Sequence, residues 1–524
     1  MNSYNLSFID YAIVIGYVLF ILIFGSSFAK KNKSEGNFFV GRGKIPAWAI
    51  GMSILATLIS SITFIAYPGE GFAHNWIRLV QGLMVPVVLL AIVWFIVPLY
   101  RHAIKISAYE YFEKRFGYFA RLYSSLAFLF AHFSKMGTVF FLLALVISQM
   151  LGISTYTLIW ILGITVVIYT MLGGIEAVIW LDVIQGFVLI GGGLIILAIL
   201  LFVTPGGPSA VISTAYKGGK IGFGPYDMDL THLTFIVMAL NGIFYALQKY
   251  GTDQTIVQRY LVAKSDKDGI KASLIGIFLS VPVWGLFMFI GTALWSFYQI
   301  THIPLPAGMR PDAILPHFVM TQLPTGVVGI IIAAVTAAAL SSLDSDLNSL
   351  SAIVVEDYYR RFRPNSTDKQ RLYAGKITIV FGGLAAVLVA SLYVAAGKET
   401  VLGIIFTLYA IFSGGIVGLF LLGLFAKRAN KKGVYIGIVA CVLYTAYAVL
   451  TSTPMGFGIH KHLLIDLGSL NFHQHKYMIG VYSHIVLFIV GFLASYLFPH
   501  EPVNEKFTIY GWFKKKNRLE AGEA

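Results

Sequence analysis

Apolar runs long enough to cross a bilayer follow one another almost from end to end of this chain. A spanning helix needs about 20 predominantly apolar residues. Such runs fall at 8–28, 46–67, 78–99, 119–151, 154–172, 177–203, 231–250, 271–298, 325–355, 374–396, 400–426, 433–452 and 477–497. The pattern predicts an all-α polytopic membrane protein with about thirteen transmembrane helices and no separate soluble domain. Trp48, Trp76, Trp180, Trp295, Tyr298 and Trp512 sit near the ends of runs, as aromatic anchors at a membrane interface do. The first run has no basic lead and no small-residue cleavage site, and it is long enough to cross. It is expected to remain as a span.

Composition narrows the class further. Of 524 residues, 57% are hydrophobic and 12% charged, where a soluble domain has about a quarter charged. A water-soluble enzyme, a disordered chain and a fibre are excluded. The net charge of +14, from 38 basic and 24 acidic residues, would suggest nucleic acid in a soluble protein. Here the cations sort by loop. Alternate loops and the tail hold 29 of them, among them Lys30, Arg42, Arg101, Arg121, Arg259, Lys267, Lys271, Arg360, Lys427 and Lys514. The intervening loops hold seven: Arg78, Lys217, Lys220, Arg310, Lys398, Lys461 and Lys476. By the positive-inside rule the N-terminus is outside and the C-terminus cytoplasmic, in the cell membrane, as an odd number of spans requires. The bilayer is the expected partner, and no nucleic acid is expected. The single cysteine, Cys441, rules out an intrachain disulfide.

Lys135 and Lys249 belong to neither set of loops. With Asp182, Asp344 and Asp346 they are ionisable groups within or at the edge of spans, which are costly there and point to function. Lys249 and Asp10 are expected to be interfacial. In the 325–355 run, Ala338, Ser341, Ser342, Ser345 and Ser349 share one helical face, with Asp344 and Asn348 beside it. Hydroxyls with a carboxylate in lipid suit a hard cation. Serines alone would also suit close helix packing, and the two aspartates favour an ion or polar path. The 46–67 run is dense in Ser and Thr and is followed by Pro68-Gly69, so it is expected to unwind and offer carbonyls to Na⁺. Asp182 and Gln185 lie three apart, on one face.

The stretches Gly173-Gly174…Trp180-Leu181-Asp182-Val183-Ile184-Gln185, Gly251-Thr252-Asp253-Gln254…Gln258-Arg259-Tyr260 and Ser341-Ser342…Leu347-Asn348-Ser349 together resemble the sodium:solute symporter family. Phe39-Val40-Gly41-Arg42-Gly43 and Ser107-Ala108-Tyr109-Glu110-Tyr111 fit as well, in order, over nearly the whole chain. The pattern is most similar to bacterial sialic acid transporters. The resemblance implies a five-plus-five inverted-repeat (LeuT-like) core, with repeats at 46–203 and 231–426. One N-terminal helix precedes the core, and two C-terminal helices with a basic tail follow it in 427–524. It also implies a first Na⁺ site from the carbonyls of Ala56, Ile59 and Ala338 and the hydroxyls of Ser341 and Ser342. A second Na⁺ site would use Asp182, Ser341, Ser345 and Asp344, the last standing where the family usually has Ser or Thr. A carboxylate there would tighten Na⁺ binding or bring in a proton, so one or two coupling ions are expected and no organic cofactor.

For the substrate, the resemblance implies Ser60 and Thr63. It also implies Lys135, in place of an arginine that holds a carboxylate, together with Gln81, which neighbours the family's pocket glutamine position. Arg78 replaces an aromatic residue. Lys keeps the charge and loses the bidentate fork. Phe406 and Ala246 stand where glucose and galactose carriers have amides, which argues against that pocket. The expectation is Na⁺-coupled import of a small polar organic solute, best an acidic sugar such as sialic acid. The alternatives are a neutral monosaccharide or inositol or, in another class, a passive channel or membrane sensor. No His-Glu-x-x-His or Gly-x-Ser-x-Gly motif supports an enzyme, and the tail after Pro499 is expected to be too short for a signalling domain. His460, His462, His473 and His475 fall in one external loop and read as solvated residues more readily than as a metal site. The oligomeric state is open, and a monomer would suffice.

Overall fold

A computed structural model describes residues 6–31, 33–41, 43–395, 414–454, 463–500 and 502–520. Every regular element among them is helical. The main helices are α1 (Phe8–Ser27), α2 (Ala47–Leu58), α3 (Tyr67–Ala73), α4 (Leu79–Ala103), α5 (Tyr118–Leu151), α6 (Thr155–Val203), α7 (Phe235–Gly251), α8 (Gln254–Val262), α9 (Asp266–Thr301), α10 (Val327–Ile353), α11 (Asp368–Ala395), α12 (Ile416–Phe425), α13 (Lys431–Ser452) and α14 (Met478–Ala494). Shorter helical segments lie in the connections.

Among the described residues nine helices are long and apolar enough to cross a bilayer, and the bent pair containing α2 and α3 makes a tenth. Most predicted runs meet one helix each. Runs 154–172 and 177–203 are joined end to end in α6, which breaks at Gly174 (φ 59°, ψ −173°). That backbone conformation is one glycine adopts without steric cost. The 231–250 run yields the 17-residue α7. Most of the 400–426 run, Phe406 included, lies outside the described residues, as do Arg42, Lys398, His460, Lys461 and His462.

Burial ranks the helices. In the span that begins with α10, 89% of the most apolar window is buried, against 11% for α1. The hydroxyl-rich helix is therefore central and α1 peripheral. α10 packs on α6, α5, α1, α11 and α2, while α9 crosses α2, α3 and α4. At Gly291 a Cβ would fall 2.1 Å from the Pro68 carbonyl oxygen, so only glycine lets α9 lie against the broken helix. α13 and α14 pair with each other, and α14 also packs on α12.

Local chemistry explains the break after α2. Ile59 is extended (φ −98°, ψ 113°), and the Ser60 hydroxyl accepts the Ile62 N–H at 3.2 Å. A serine that bonds nearby backbone offers the chain an alternative to the helical ladder. Pro68 has no N–H to donate, and a π-helical turn, Ile62–Ala66, precedes it. The pair bends by 58°.

Asp10, expected at the interface, is enclosed by protein. It is 2% exposed and caps α1 with Ser7. Its Oδ1 accepts the N–H groups of Gly326 and Gly329, both at 2.8 Å. The carboxylate thereby meets orphan donors and the positive dipole end at the start of α10.

Candidate functional site

The opened end of α2 faces the hydroxyl stripe of α10. The last carbonyls of a helix lack intrahelical donors, and two of them find serines. The Ser341 hydroxyl reaches the Ala56 carbonyl at 3.1 Å and the Ala338 carbonyl at 3.2 Å. The Ser342 hydroxyl donates to the Thr57 carbonyl at 3.4 Å. Ala56, Ala338, Ser341 and Ser342 therefore converge, buried, with Ile59 at the turn. The donor set is all oxygen, without nitrogen or sulfur, and suits a hard monovalent cation. Ser341 shares its hydroxyl between its own helix and α2, so it both packs and links.

A charged group lies deeper, and the sequence reading missed its cation. Arg259 of α8, counted there among the cytoplasmic loop cations, is fully buried. Its Nη2 lies 3.1 Å from Asp182 Oδ2 and 2.5 Å from Ser345 Oγ. Its Nε donates to Ser53 Oγ at 3.1 Å, and Ser53 in turn donates to Asp182 Oδ2 at 2.5 Å. Thr57 Oγ1 and Ser345 Oγ are 3.2 Å apart. Asp182 and Ser345 are thus joined through Arg259. Asp344 is fully buried, and neither carboxylate oxygen makes a hydrogen bond of normal geometry, although Tyr169 stands beside it. Asp182 Oδ1 and both polar atoms of Gln185 are also unsatisfied. Asp182 and Asp344 lie within electrostatic reach of each other. The guanidinium pairs with Asp182 and not with Asp344, which leaves acceptor capacity for a further cation.

Lys135 and Lys249 prove to be the two ends of one buried chain. Lys135 Nζ lies 3.0 Å from Asp346 Oδ1, which also meets His132 Nδ1 at 2.9 Å. His132 Nε2 is 3.1 Å from Asp253 Oδ2, and that oxygen accepts from Lys249 Nζ at 2.6 Å. Lys249 is 3% exposed, so it is a buried, paired cation. The chain ties α5, α10, α7 and the N-cap of α8.

The implied substrate positions are buried, except Arg78, which is partly exposed. Ser60 and Thr63 are each 3% exposed, on the broken segment. Gln81 is buried with its Oε1 unpartnered. Arg78 is held by Glu70, Nε to Oε2 at 2.7 Å, and donates to the Tyr477 hydroxyl. Both cations proposed for the pocket, Arg78 and Lys135, thus have acidic partners already. Nearby, at the start of α14, His475 Nδ1 accepts the Tyr477 N–H at 3.3 Å. Burial, and then Lys476 and Arg78, push its imidazole down to about 4. His473 lies on the surface beside the Ser469 carbonyl, 3.2 Å away. No group of three His, Cys, Asp or Glu residues able to hold a metal occurs among the described residues.

The sequence pattern of residues 38–440 matches that of the sodium:solute symporter family, and the chain belongs to that family. It is similar to the sodium/sialic acid symporter SiaT of Proteus mirabilis, 35% identical over 448 residues, covering 84% of this chain and 90% of that one. It is also similar to the sodium/sialic acid symporter NanT of Aliivibrio fischeri, 32% identical over 528 residues and 100% of both chains. The solved structure of a Na⁺-coupled sialic acid symporter, in a substrate-bound outward-open state with a novel Na⁺ site, superposes with a TM-score of 0.86. It is 32% identical and covers 95% of this chain and 100% of that one. Family and fold together place the chain among multi-pass membrane transporters.

Proposed function

We propose that this protein is a Na⁺-coupled symporter that imports an acidic sugar, sialic acid being the best candidate, across the cell membrane. The observation that carries the reading is the Ser341 hydroxyl between the Ala56 and Ala338 carbonyls. A cation held by these oxygens with Ile59 and Ser342 would draw the opened end of α2 onto α10. Binding therefore favours the arrangement in which both are close, and the broken segment carrying Ser60 and Thr63 is ordered for the solute. A membrane potential contributes about 2.3 kcal/mol per charge per 100 mV, so each coupled ion steepens accumulation. The finer architecture belongs to the same reading: thirteen spans, two inverted repeats at 46–203 and 231–426, C-terminal helices in 427–524, N-terminus outside and C-terminus cytoplasmic.

The second cation would sit among Asp182, Ser341, Asp344 and Ser345. Its support is Asp344, buried with neither oxygen making a hydrogen bond of normal geometry. Lys135, Arg78 and Gln81 complete the proposed solute pocket, with a substrate carboxylate competing against Asp346 for the lysine.

One observation favours a second reading, a neutral monosaccharide or inositol as substrate. Lys135 and Arg78 are both compensated, by Asp346 and Glu70, so a neutral solute would disturb neither pair. Thermal-shift titration of the purified protein in Na⁺ with sialic acids, uronates, neutral sugars and inositol separates the two. Stabilisation by sialic acid supports the first reading; stabilisation by neutral solutes alone replaces it.

A further inference from the structure

Away from the solute pathway, α9 and α4 enclose an open groove of about 450 Å³ on the outside of the molecule. Its lining is almost wholly apolar and comes from Ile270, Leu274, Phe278 and the side chains of Lys267 and Lys271 on α9, with Trp94 of α4. Positions 267, 270, 271, 274 and 278 recur at three- and four-residue steps, so they form one face of α9. From Lys267 to Phe278 the helix rises about 16 Å, which is roughly half of a hydrocarbon core about 30 Å thick. The face therefore changes from cationic to apolar over the depth of one leaflet.

Neither lysine makes an ion pair among the described residues, and of the nearest acids on α9 only Asp266 is paired with cations. Asp266 accepts from Arg101 at 2.8 Å and meets His102 at 2.9 Å. Asp268 accepts the Ser265 hydroxyl at 2.8 Å. Lys267, Lys271 and Phe278 are exposed, and Trp94 is 49% exposed with its indole N–H turned to the Leu90 carbonyl. Two ammonium groups without ion-pair partners, beside an apolar trough, match a ligand with a phosphate at one end and acyl chains at the other.

We infer that this groove is a binding site for an anionic phospholipid, with the headgroup phosphate between Lys267 and Lys271 and an acyl chain along Ile270, Leu274 and Phe278. The ammonium groups set the preference for an anionic headgroup, and the trough sets the requirement for a chain.

The test is titration of delipidated protein with phosphatidylglycerol or phosphatidylcholine of the same chains, read by native mass spectrometry. A third arm uses free glycerol phosphate. Each surface lysine near anionic lipid strengthens attraction enough that two give about a thirtyfold preference. Lys267→Gln with Lys271→Gln should abolish that preference, while phosphatidylcholine binding stays the same. Ile270→Trp, which fills the trough, should weaken both lipids. The two lysines are exposed and Ile270 is half-buried, and equal unfolding temperatures without lipid check that the variants fold. Equal retention of the two lipids, a preference that survives in the double lysine variant, or glycerol phosphate binding as tightly as the lipid would each overturn the proposal.

Discussion

Arg259 Nη2 lies 3.1 Å from Asp182 Oδ2, and neither side chain reaches solvent. Removing one partner of a buried pair leaves an uncompensated charge and costs about 3–5 kcal/mol. Arg259→Met should therefore lower the unfolding temperature of the purified protein sharply, and Asp182→Asn combined with Arg259→Met should recover most of the loss. A double variant no more stable than the single one would show that the pair is not the unit of stability.

Asp344 is a second buried carboxyl that makes no ion pair with Arg259. Asp344→Ser restores the residue type expected at this position and removes the extra carboxylate. If a second Na⁺ is coupled, the Hill coefficient for Na⁺ in uptake should fall toward one in Asp344→Ala and Asp182→Ala. An unchanged coefficient, with altered external pH dependence in Asp344→Ser, would assign the site to a proton instead.

Ser342→Ala removes one oxygen from the first cation site without touching charge. Loss of one such contact, about 1.4 kcal/mol, raises the half-saturating Na⁺ concentration about tenfold. Uptake measured against Na⁺ at saturating solute checks it. An unshifted half-saturation would remove Ser342 from the site.

Lys135 has two competing partners in this account, Asp346 and the substrate carboxylate. Lys135→Ala should abolish binding of an acidic sugar and spare a neutral one. Lys135→Arg, with a fork able to meet two carboxylates, should retain acid binding. Calorimetric titration of both variants with sialic acid and a neutral sugar reads the difference.

His475 gives a pH signature outside the spans. Its folded-state value is depressed from 6.5 to about 4, so the unfolded chain binds a proton first as pH falls. The stability contributed by the neutral ring is present above pH 6.5 and is lost as pH drops from there toward 4. Thermal unfolding should therefore weaken across that window, and His475→Gln should flatten the slope. An identical slope in the variant would place the sensitivity elsewhere.

Most of the spans, the unwinding of the 46–67 run and the hydroxyl face of α10 were legible because each is written locally, as apolar length, as Ser and Pro near a helix end, or as a 3.6-residue stripe. Convergence of Ala56 with Ser341 came from family resemblance, since 285 residues separate them. Arg259 was misplaced because charge sorting treats every cation outside a long apolar run as a loop residue. α8 is a short, fully enclosed helix without such a run, and its Arg is neutralised by an Asp 77 positions away. The burial of Lys249 and Asp10 was hidden for the same reason. Their partners, His132 through Asp253 and the amides of Gly326 and Gly329, are tertiary. The Asp253 partner of Lys249 at i+4 was the one part visible in one dimension.

The central claim is that a Na⁺ gradient drives solute import through the α2–α10 cleft. Uptake of labelled sialic acid into proteoliposomes, with an inward Na⁺ gradient and with Na⁺ equal on both sides, tests it most directly. The account predicts transient accumulation above equilibrium only with the gradient, and its loss in Ser341→Ala with Ser342→Ala. Equal uptake in both conditions would contradict it.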